Sequence, residues 1–111
     1  MIHKISAEHL TVGKIGEIIY NGYELELSSD AVSRIERCRE YLDNKISTNN
    51  QPIYGVTTGF GSLCSVSIGK DQLTQLQINL IKSHACGTGD RVPNDIVKIM
   101  MLLKIQSLSY G

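Results

Sequence analysis

Two short segments hold the residues whose types and spacing suit catalysis. The first, Tyr54 to Gly61, reads YGVTTGFG and is a glycine-rich loop led by a tyrosine. The second, Ser83 to Gly89, reads SHACGTG and places a histidine where a helix is expected to end. A loop tyrosine can exchange a proton as acid or base, and neighbouring glycines let the loop close over a pocket. A histidine that faces a cavity can bind, orient or exchange a proton with a polar ligand.

Each segment also has a simpler interpretation. A Tyr-Gly pair in a loop is usually only a loop, and a histidine on an apolar helix face is more often a satisfied core residue than a ligand-binding one. Phosphate binding by the glycines is disfavoured, because GFGSLCS does not fit GxGxxG and no Walker lysine follows. The residue pattern alone therefore leaves catalysis and structure both open.

Capping residues and apolar spacing predict the elements before the loop. Thr11 begins a short helix to about Tyr20, which Asn21-Gly22 ends, and the stretch 23–27 alternates like a short strand. Ser28 caps a second helix, and a polar stretch at 47–51 followed by proline ends it. The apolar face of this helix has five members at helical spacing: Ala31, Ile35, Cys38, Leu42 and Ile46.

The glycine-rich loop is followed by two further helices. Gly55, Gly59 and Gly61 preclude regular structure in the loop and permit positive φ or close backbone approach. A third helix is expected from about residue 70 or 71 to 85, with His84 on its buried, apolar face. The last helix starts near residue 93 or 94 and is apolar around nearly its whole circumference, so it belongs inside a larger assembly or an oligomer.

Composition excludes several classes of protein. The chain has 111 residues, 41% of them apolar, which suits one small ordered domain. Its formal net charge is zero, which argues against a nucleic-acid partner. No apolar run is long enough for a membrane span or a signal peptide, so a cytoplasmic protein is the default. The three cysteines show no CxxC, and we expect reduced, partly buried thiols and no metal site.

The two segments and the last helix together resemble one known family. YGVTTGFG, then LQINLIKSHACGTG, then VKIMMLLKIQSLSYG are similar, in order and spacing, to consecutive segments of the histidine and phenylalanine ammonia-lyases. The resemblance covers essentially all of the chain. It implies a mostly α protein with a short strand and a glycine-rich loop, the N-terminal part of the helical ammonia-lyase (fumarase/aspartase-like) fold. Members are mostly homotetramers with active sites shared between subunits.

The resemblance also implies roles for particular residues. Tyr54 corresponds to the loop tyrosine that handles the β-proton of the substrate, and Gly55, Gly59 and Gly61 would give that loop its mobility. Ser83-His84 is similar to the pair of the histidine-specific branch, with His84 contacting or positioning the substrate imidazole. The implied reaction is non-oxidative deamination of L-histidine to trans-urocanate and ammonia, the opening step of histidine degradation.

One family feature does not occur in these residues. The family builds its electrophilic methylidene-imidazolone (MIO) cofactor from Ala-Ser-Gly, which is not found here. Ala85-Cys86-Gly87 is chemically suggestive but corresponds to a different family segment, at a helix end. We therefore expect residues 1–111 to be the N-terminal portion of such an enzyme, a fragment without its cofactor-forming and C-terminal parts and inactive alone.

Two alternatives stay open at this point. The first is a tyrosine or phenylalanine ammonia-lyase, or an aminomutase, of the same family. The second is a helical interaction module with no chemistry of its own, which the apolar last helix would favour and the Tyr54 loop would leave unexplained.

Overall fold

The computed structural model describes residues 1–48 and 51–111, which form two compact units. Unit 1 comprises residues 1–43 and 91–111, and unit 2 comprises residues 44–90. The chain is mostly helical, as predicted. Unit 1 holds β1 (Ile2–Ile5), α1 (Val12–Tyr20), β2 (Glu24–Leu27), most of α2 (Ser29–Thr48) and α4 (Asn94–Leu108), and unit 2 holds α3 (Leu73–His84).

Helix α1 begins and ends at the residues that the sequence predicts. The Thr11 side chain accepts a hydrogen bond from the backbone N–H of Lys14 at 3.2 Å, which satisfies one unpaired donor of the first turn. At the other end the N–H of Asn21 donates to the Glu17 carbonyl, and Gly22 follows with a φ of +60°. A left-handed residue after a helix is best tolerated by glycine, which explains the predicted stop.

Two strands flank α1 and pair in parallel. β1 and β2 are in register from Ile2 opposite Glu24 to Ile5 opposite Leu27, and the connection between them contains α1. The predicted strand at 23–27 is confirmed, but β1 was not predicted. Its sequence, IHKI, has no alternation of apolar and polar residues, so only the pairing with β2 identifies it.

Helix α2 starts as predicted, and its apolar face is only partly covered. The Ser28 hydroxyl accepts from the backbone N–H of Ala31 at 3.1 Å. Ala31 is buried, but Cys38 is exposed, as are the thiols of Cys64 and Cys86. The prediction of partly buried thiols is therefore wrong, although all three cysteines are free. The polar stretch at 47–51 includes Asn49 and Asn50, which lie outside the described residues.

The core of unit 1 is small and includes a polar connection. Its buried apolar side chains come from β1, α1, α2 and α4: Ile5, Ile18, Ala31 and Leu102. The Gln106 side chain is also buried, and its Nε2 donates to the carbonyl oxygen of Ser6 at 2.5 Å. Because a buried amide without a partner is costly, this bond fixes the segment after β1 against α4.

Helix α4 leaves most of its apolar side chains exposed. Leu102 is the one fully buried apolar side chain of α4, a helix that lies wholly within the described residues, whereas Met100, Met101 and Leu108 are each about 60% exposed. Side chains of this kind are expected to be covered in a working protein. The sequence-based interpretation that α4 needs further partners therefore fits its exposure. Among the described residues, no helix combines the length and apolarity needed to cross a membrane.

A polar cluster fixes the end of α1 to the residue before β2. The Tyr23 hydroxyl donates to Glu17 Oε1 at 2.5 Å, and Lys14 Nζ binds Glu17 Oε2 at 2.9 Å while lying 5.4 Å from the centre of the Tyr23 ring. The hydrogen bond from Tyr23, followed by that from Lys14, lowers the pKa of the Glu17 carboxyl. The same bond to Glu17 raises the pKa of Tyr23.

Replacing Tyr23 by phenylalanine should destabilise the chain only within a pH window. The lowered pKa of Glu17 means that its contribution is present above the unfolded pKa and is lost as pH falls through the folded pKa. The raised pKa of Tyr23 means that its contribution is present below the unfolded pKa and is lost as pH rises through the folded pKa. We expect Tyr23→Phe to lower the free energy of unfolding around neutral pH and to match wild type at both extremes.

Urea denaturation followed across pH checks this expectation. Tyr20→Phe is the matched control, because Tyr20 is exposed on the same helix and makes no such bond to Glu17. An equal loss of stability at all pH values would show that packing, and not the hydrogen bond, links Tyr23 to α1.

Candidate active site

The Tyr54 loop is closed by hydrogen bonds among its own residues. The N–H groups of Val56 and Thr57 both donate to the Ile53 carbonyl, at 3.0 and 2.9 Å. The Thr57 hydroxyl in turn accepts from the N–H of Ile53 at 2.8 Å. Side chains of threonine often complete turns in this way. The backbone around Tyr54 is therefore held in one tight turn.

Thr58 connects this turn to the chain that follows it. Thr58 and Ser67 form an antiparallel bridge, with Gly59 N–H bonded to the Val66 carbonyl at 3.1 Å. The Thr58 side chain is buried, and its hydroxyl accepts from Gly55 N–H at 3.3 Å and donates to the Gly59 carbonyl at 3.0 Å. Thr57 and Thr58 are not among the site residues that the sequence predicts. Two threonines between glycines are the signal that was available.

Tyr54 itself is well exposed, with its ring against Phe60. The two ring centres are 6.0 Å apart with an interplanar angle of 71°, an edge-to-face pair. The backbone N–H of Gly61 donates to the Tyr54 hydroxyl oxygen at 3.3 Å. Because the hydroxyl accepts in this bond, its own hydrogen stays available for a ligand. The group predicted to transfer a proton is thus accessible and held by its own loop.

The three loop glycines occupy positions where a side chain is disfavoured, by positive φ at Gly61, by close contact at Gly59 and by both at Gly55. Gly55 and Gly61 have φ values of +72° and +54°, and a Cβ on Gly55 would lie 2.9 Å from a Phe60 ring carbon. Gly59 is buried, and a Cβ there would lie 2.6 Å from Cβ of Leu63. The predicted positive φ and close approach are confirmed. The predicted loop mobility stays a prediction.

Ser83 and His84 are the last two residues of α3. His84 Nδ1 lies 2.9 Å from the Leu80 carbonyl oxygen and 3.0 Å from the Ser83 hydroxyl oxygen. The prediction that His84 lies on the buried side of its helix is wrong for this chain, since His84 is exposed and Ile81 is 69% exposed. The physical reason is that this face of α3 is not covered by any other part of unit 2.

Tyr54 and the Ser83-His84 pair belong to the same unit but keep separate contacts. Within the described residues of unit 2, no hydrogen bond joins the Tyr54 hydroxyl to Ser83 or His84. A cavity shared by these side chains therefore stays a prediction. In the parts of the chain that the structure describes, no group of histidine, cysteine and acidic residues is arranged to hold a metal ion.

The residues after His84 form hydrogen-bonded turns at the end of α3. Ala85 caps α3, with its N–H bonded to the Ile81 carbonyl at 2.9 Å, and Cys86 N–H donates to the His84 carbonyl at 2.9 Å. The Ala85 nitrogen thus makes a helix-end bond and the Cys86 nitrogen closes a three-residue turn, and no residue here has positive φ before Gly89. Ala85-Cys86-Gly87 therefore does not fit the strained loop in which a backbone cyclisation is expected.

Comparison with solved structures defines the class of fold. The tyrosine aminomutase of Streptomyces globisporus superposes with a TM-score of 0.89 at 26% identity, covering 100% of this chain and 21% of that chain. The chain thus has the fold of a segment of that enzyme. In addition, residues 10–111 match the family model for aromatic amino acid lyases, and the chain belongs to that family.

Curated relatives are consistent with this assignment. The histidine ammonia-lyase of Streptococcus gordonii is 43% identical over 113 residues, which cover 100% of this chain and 22% of that protein. The histidine ammonia-lyase of Treponema denticola is 41% identical over 107 residues, covering 96% of this chain and 21% of that protein. The chain thus spans about a fifth of the length of the curated relatives that it matches.

Proposed function

We propose that the complete enzyme carrying this chain removes ammonia from L-histidine to give trans-urocanate. The observation that carries the proposal is the Ser83-His84 pair at the exposed end of α3, because an imidazole side chain there offers a polar partner to the substrate ring. The identity of 43% and 41% to two histidine ammonia-lyases supports the same substrate. In the reaction one Cβ–H bond and the Cα–N bond break, and a Cα=Cβ double bond forms.

In this proposal Tyr54 transfers the β-proton. Its hydroxyl is exposed, and its oxygen accepts a hydrogen bond from Gly61 N–H, so that the oxygen keeps a donor whether or not it carries its own hydrogen. Phe60 and the turn at Ile53 to Thr57 hold the ring, so that little reorganisation is needed when substrate binds. The glycines would let the loop close and exclude water.

The electrophile is proposed to come from a part of the enzyme outside these residues. In this family a methylidene-imidazolone group, formed from Ala-Ser-Gly, supplies the electron sink that activates the substrate. The residues of this chain would bind and orient L-histidine beside it and exchange the proton. The exposed apolar side chains of α4 support further proposals: that this helix is covered in the complete enzyme and that the enzyme is a homotetramer. A cytoplasmic location, with no membrane or nucleic-acid partner, completes the proposal.

Incubating the complete enzyme with L-histidine and with L-tyrosine tests the substrate. We expect the absorbance of urocanate to appear with L-histidine and little coumarate to appear with L-tyrosine. The second candidate is an aminomutase or lyase that acts on another aromatic amino acid. The TM-score of 0.89 with tyrosine aminomutase favours this candidate. Faster turnover of L-tyrosine, or conversion to a β-amino acid, would reject histidine in its favour.

A further inference from the structure

Three atoms meet at the carboxyl end of α3. The Ser83 hydroxyl donates to the Leu80 carbonyl oxygen at 2.8 Å. Nδ1 of His84 lies 2.9 Å from the same carbonyl oxygen and 3.0 Å from the Ser83 hydroxyl oxygen. Since a carbonyl oxygen only accepts, its contact with Nδ1 is a hydrogen bond only when Nδ1 carries the hydrogen.

The opposite tautomer fits these distances poorly. With the hydrogen on Nε2, the Nδ1 lone pair would face the Leu80 carbonyl oxygen at 2.9 Å, which places two acceptors against each other. The single Ser83 hydroxyl hydrogen could then bind either Nδ1 or the Leu80 oxygen, and the other acceptor would have no donor. With the hydrogen on Nδ1, the Ser83 hydrogen goes to Leu80, and the Nδ1 hydrogen is shared between the two oxygens. The Ser83 hydroxyl, Nδ1 of His84 and the Leu80 carbonyl oxygen are then all satisfied, and no two acceptors face each other.

We infer that Ser83 is a positioning residue that, together with the Leu80 carbonyl, holds neutral His84 as its Nδ1-protonated tautomer. Nε2 then keeps a lone pair, and no hydrogen bond among the described residues uses it. His84 therefore offers the substrate an acceptor. For the identity of that substrate the inference rests on the proposed function. An acceptor at Nε2 narrows the substrate class to molecules whose ring carries a hydrogen-bond donor, such as the N–H of imidazole. The ring of phenylalanine has no such donor.

Nitrogen NMR of the histidine rings tests the tautomer directly. The spectra are recorded on the complete enzyme, in which loss of one signal set in His84→Gln identifies the ring of interest. At a pH where the histidines are neutral, long-range proton–nitrogen correlations of wild type should show the hydrogen on Nδ1 of His84. In Ser83→Ala the population should shift toward the Nε2 form, because Nδ1 loses one of its two oxygen partners.

Two further variants separate positioning from a general structural effect. Ser83→Thr keeps a hydroxyl at the same place and should restore the Nδ1 form. Ser65→Ala removes an exposed hydroxyl of the same unit that has no contact with His84 and should leave the tautomer unchanged. A wild-type ring protonated at Nε2, or a Ser83→Ala ring identical to wild type, would overturn the inference.

Substrate kinetics test the consequence for binding in the complete enzyme. A histidine analogue methylated on a ring nitrogen lacks the ring N–H when neutral, so its KM should exceed that of L-histidine in the wild-type enzyme. The ratio of the two KM values should be about tenfold larger in wild type than in His84→Ala, which lacks the acceptor. An equal methylation penalty in both enzymes would show that Nε2 is not the acceptor. If the NMR result holds but L-histidine is not a substrate, only the proposed function fails. If L-histidine is turned over while His84 is protonated at Nε2, only the present inference fails.

Discussion

Replacing Tyr54 by phenylalanine is expected to lower kcat of the complete enzyme by about 10²- to 10⁴-fold, the usual contribution of a positioned acid or base. The ring and its edge-to-face contact with Phe60 are kept, so only the hydroxyl is lost. KM should change little, because in the proposed reaction the hydroxyl would act on the β-proton, whereas His84 would contact the imidazole end of the substrate. Steady-state kinetics with L-histidine gives both values.

The same variant should be almost as stable as wild type. The Tyr54 side chain is 64% exposed, and the hydroxyl accepts one hydrogen bond, at 3.3 Å, from Gly61. Losing that bond should cost no more than about 1 kcal/mol of unfolding free energy. A urea melt of Tyr54→Phe therefore separates a chemical role from a folding defect.

Tyr20→Phe provides the reference for this measurement. Tyr20 is more exposed than Tyr54 and lies on α1 in unit 1, outside the candidate site. It should turn over L-histidine at the wild-type rate. If Tyr54→Phe turned over at the same rate as Tyr20→Phe, Tyr54 would not be the group that moves the proton.

Local signals account for the elements that the sequence predicted well. Thr11 and Ser28 begin their helices by accepting backbone N–H bonds three residues ahead, and Gly22 follows α1 with positive φ. Each of these features depends on residues within one turn of each other, so short sequence patterns contain them. The third helix is likewise confirmed, with a 3₁₀ turn at Lys70–Gln72 leading into α3.

Features that depend on distant residues were not predictable. β1 exists because residues 2–5 pair with residues 24–27 across α1, and nothing within IHKI shows this. Gln106 is buried because its amide reaches the Ser6 carbonyl, 100 residues away in sequence. From the sequence alone, a glutamine in an apolar helix is expected to be exposed, and only its hydrogen-bond partner shows that it is buried.

The candidate site shows the same division. Residue type and family resemblance pointed to Tyr54 and His84, but helical spacing placed His84 on a buried face. Periodicity identifies a face that requires a partner, and it does not say whether this chain supplies one. The exposure of Ile81 and His84 shows that unit 2 does not supply it. Whether Tyr54 and His84 share one cavity therefore depends on contacts that the sequence pattern does not contain.

Replacing Gly59 by alanine should cause the largest loss of any glycine substitution in the loop. The added Cβ would lie 2.6 Å from Cβ of Leu63 and 2.9 Å from its carbonyl oxygen. Neither atom can move aside by rotation of the Leu63 side chain. Relief of this overlap requires the Gly59 backbone to move, which also disturbs its bonds to Val66 and Thr58. Overpacking of this kind costs about 1–3 kcal/mol.

The loss of activity should exceed what the loss of stability explains. Gly59 lies between Thr58 and Phe60, so its movement displaces both the buried threonine of the turn and the ring that contacts Tyr54. A misplacement of about 1 Å at a reacting group can lower the rate by about 10²-fold. We therefore expect kcat of Gly59→Ala to fall by about that factor at a urea concentration and temperature at which the variant is fully folded.

Two other glycines separate steric overlap from backbone strain. Gly61 has a φ of +54° with open space around its Cβ position, so Gly61→Ala meets only the left-handed penalty of about 1–2 kcal/mol. Gly13 lies within α1 in open space, so Gly13→Ala should raise stability by about 0.5–1 kcal/mol.

Urea melts and kcat for the three variants give the comparison. The steric explanation requires Gly59→Ala to lose more activity than Gly61→Ala for the same loss of stability, because only the former pushes on Leu63. Equal activity in the two variants would mean that the loop tolerates displacement at Gly59, and that close packing there does not position Tyr54.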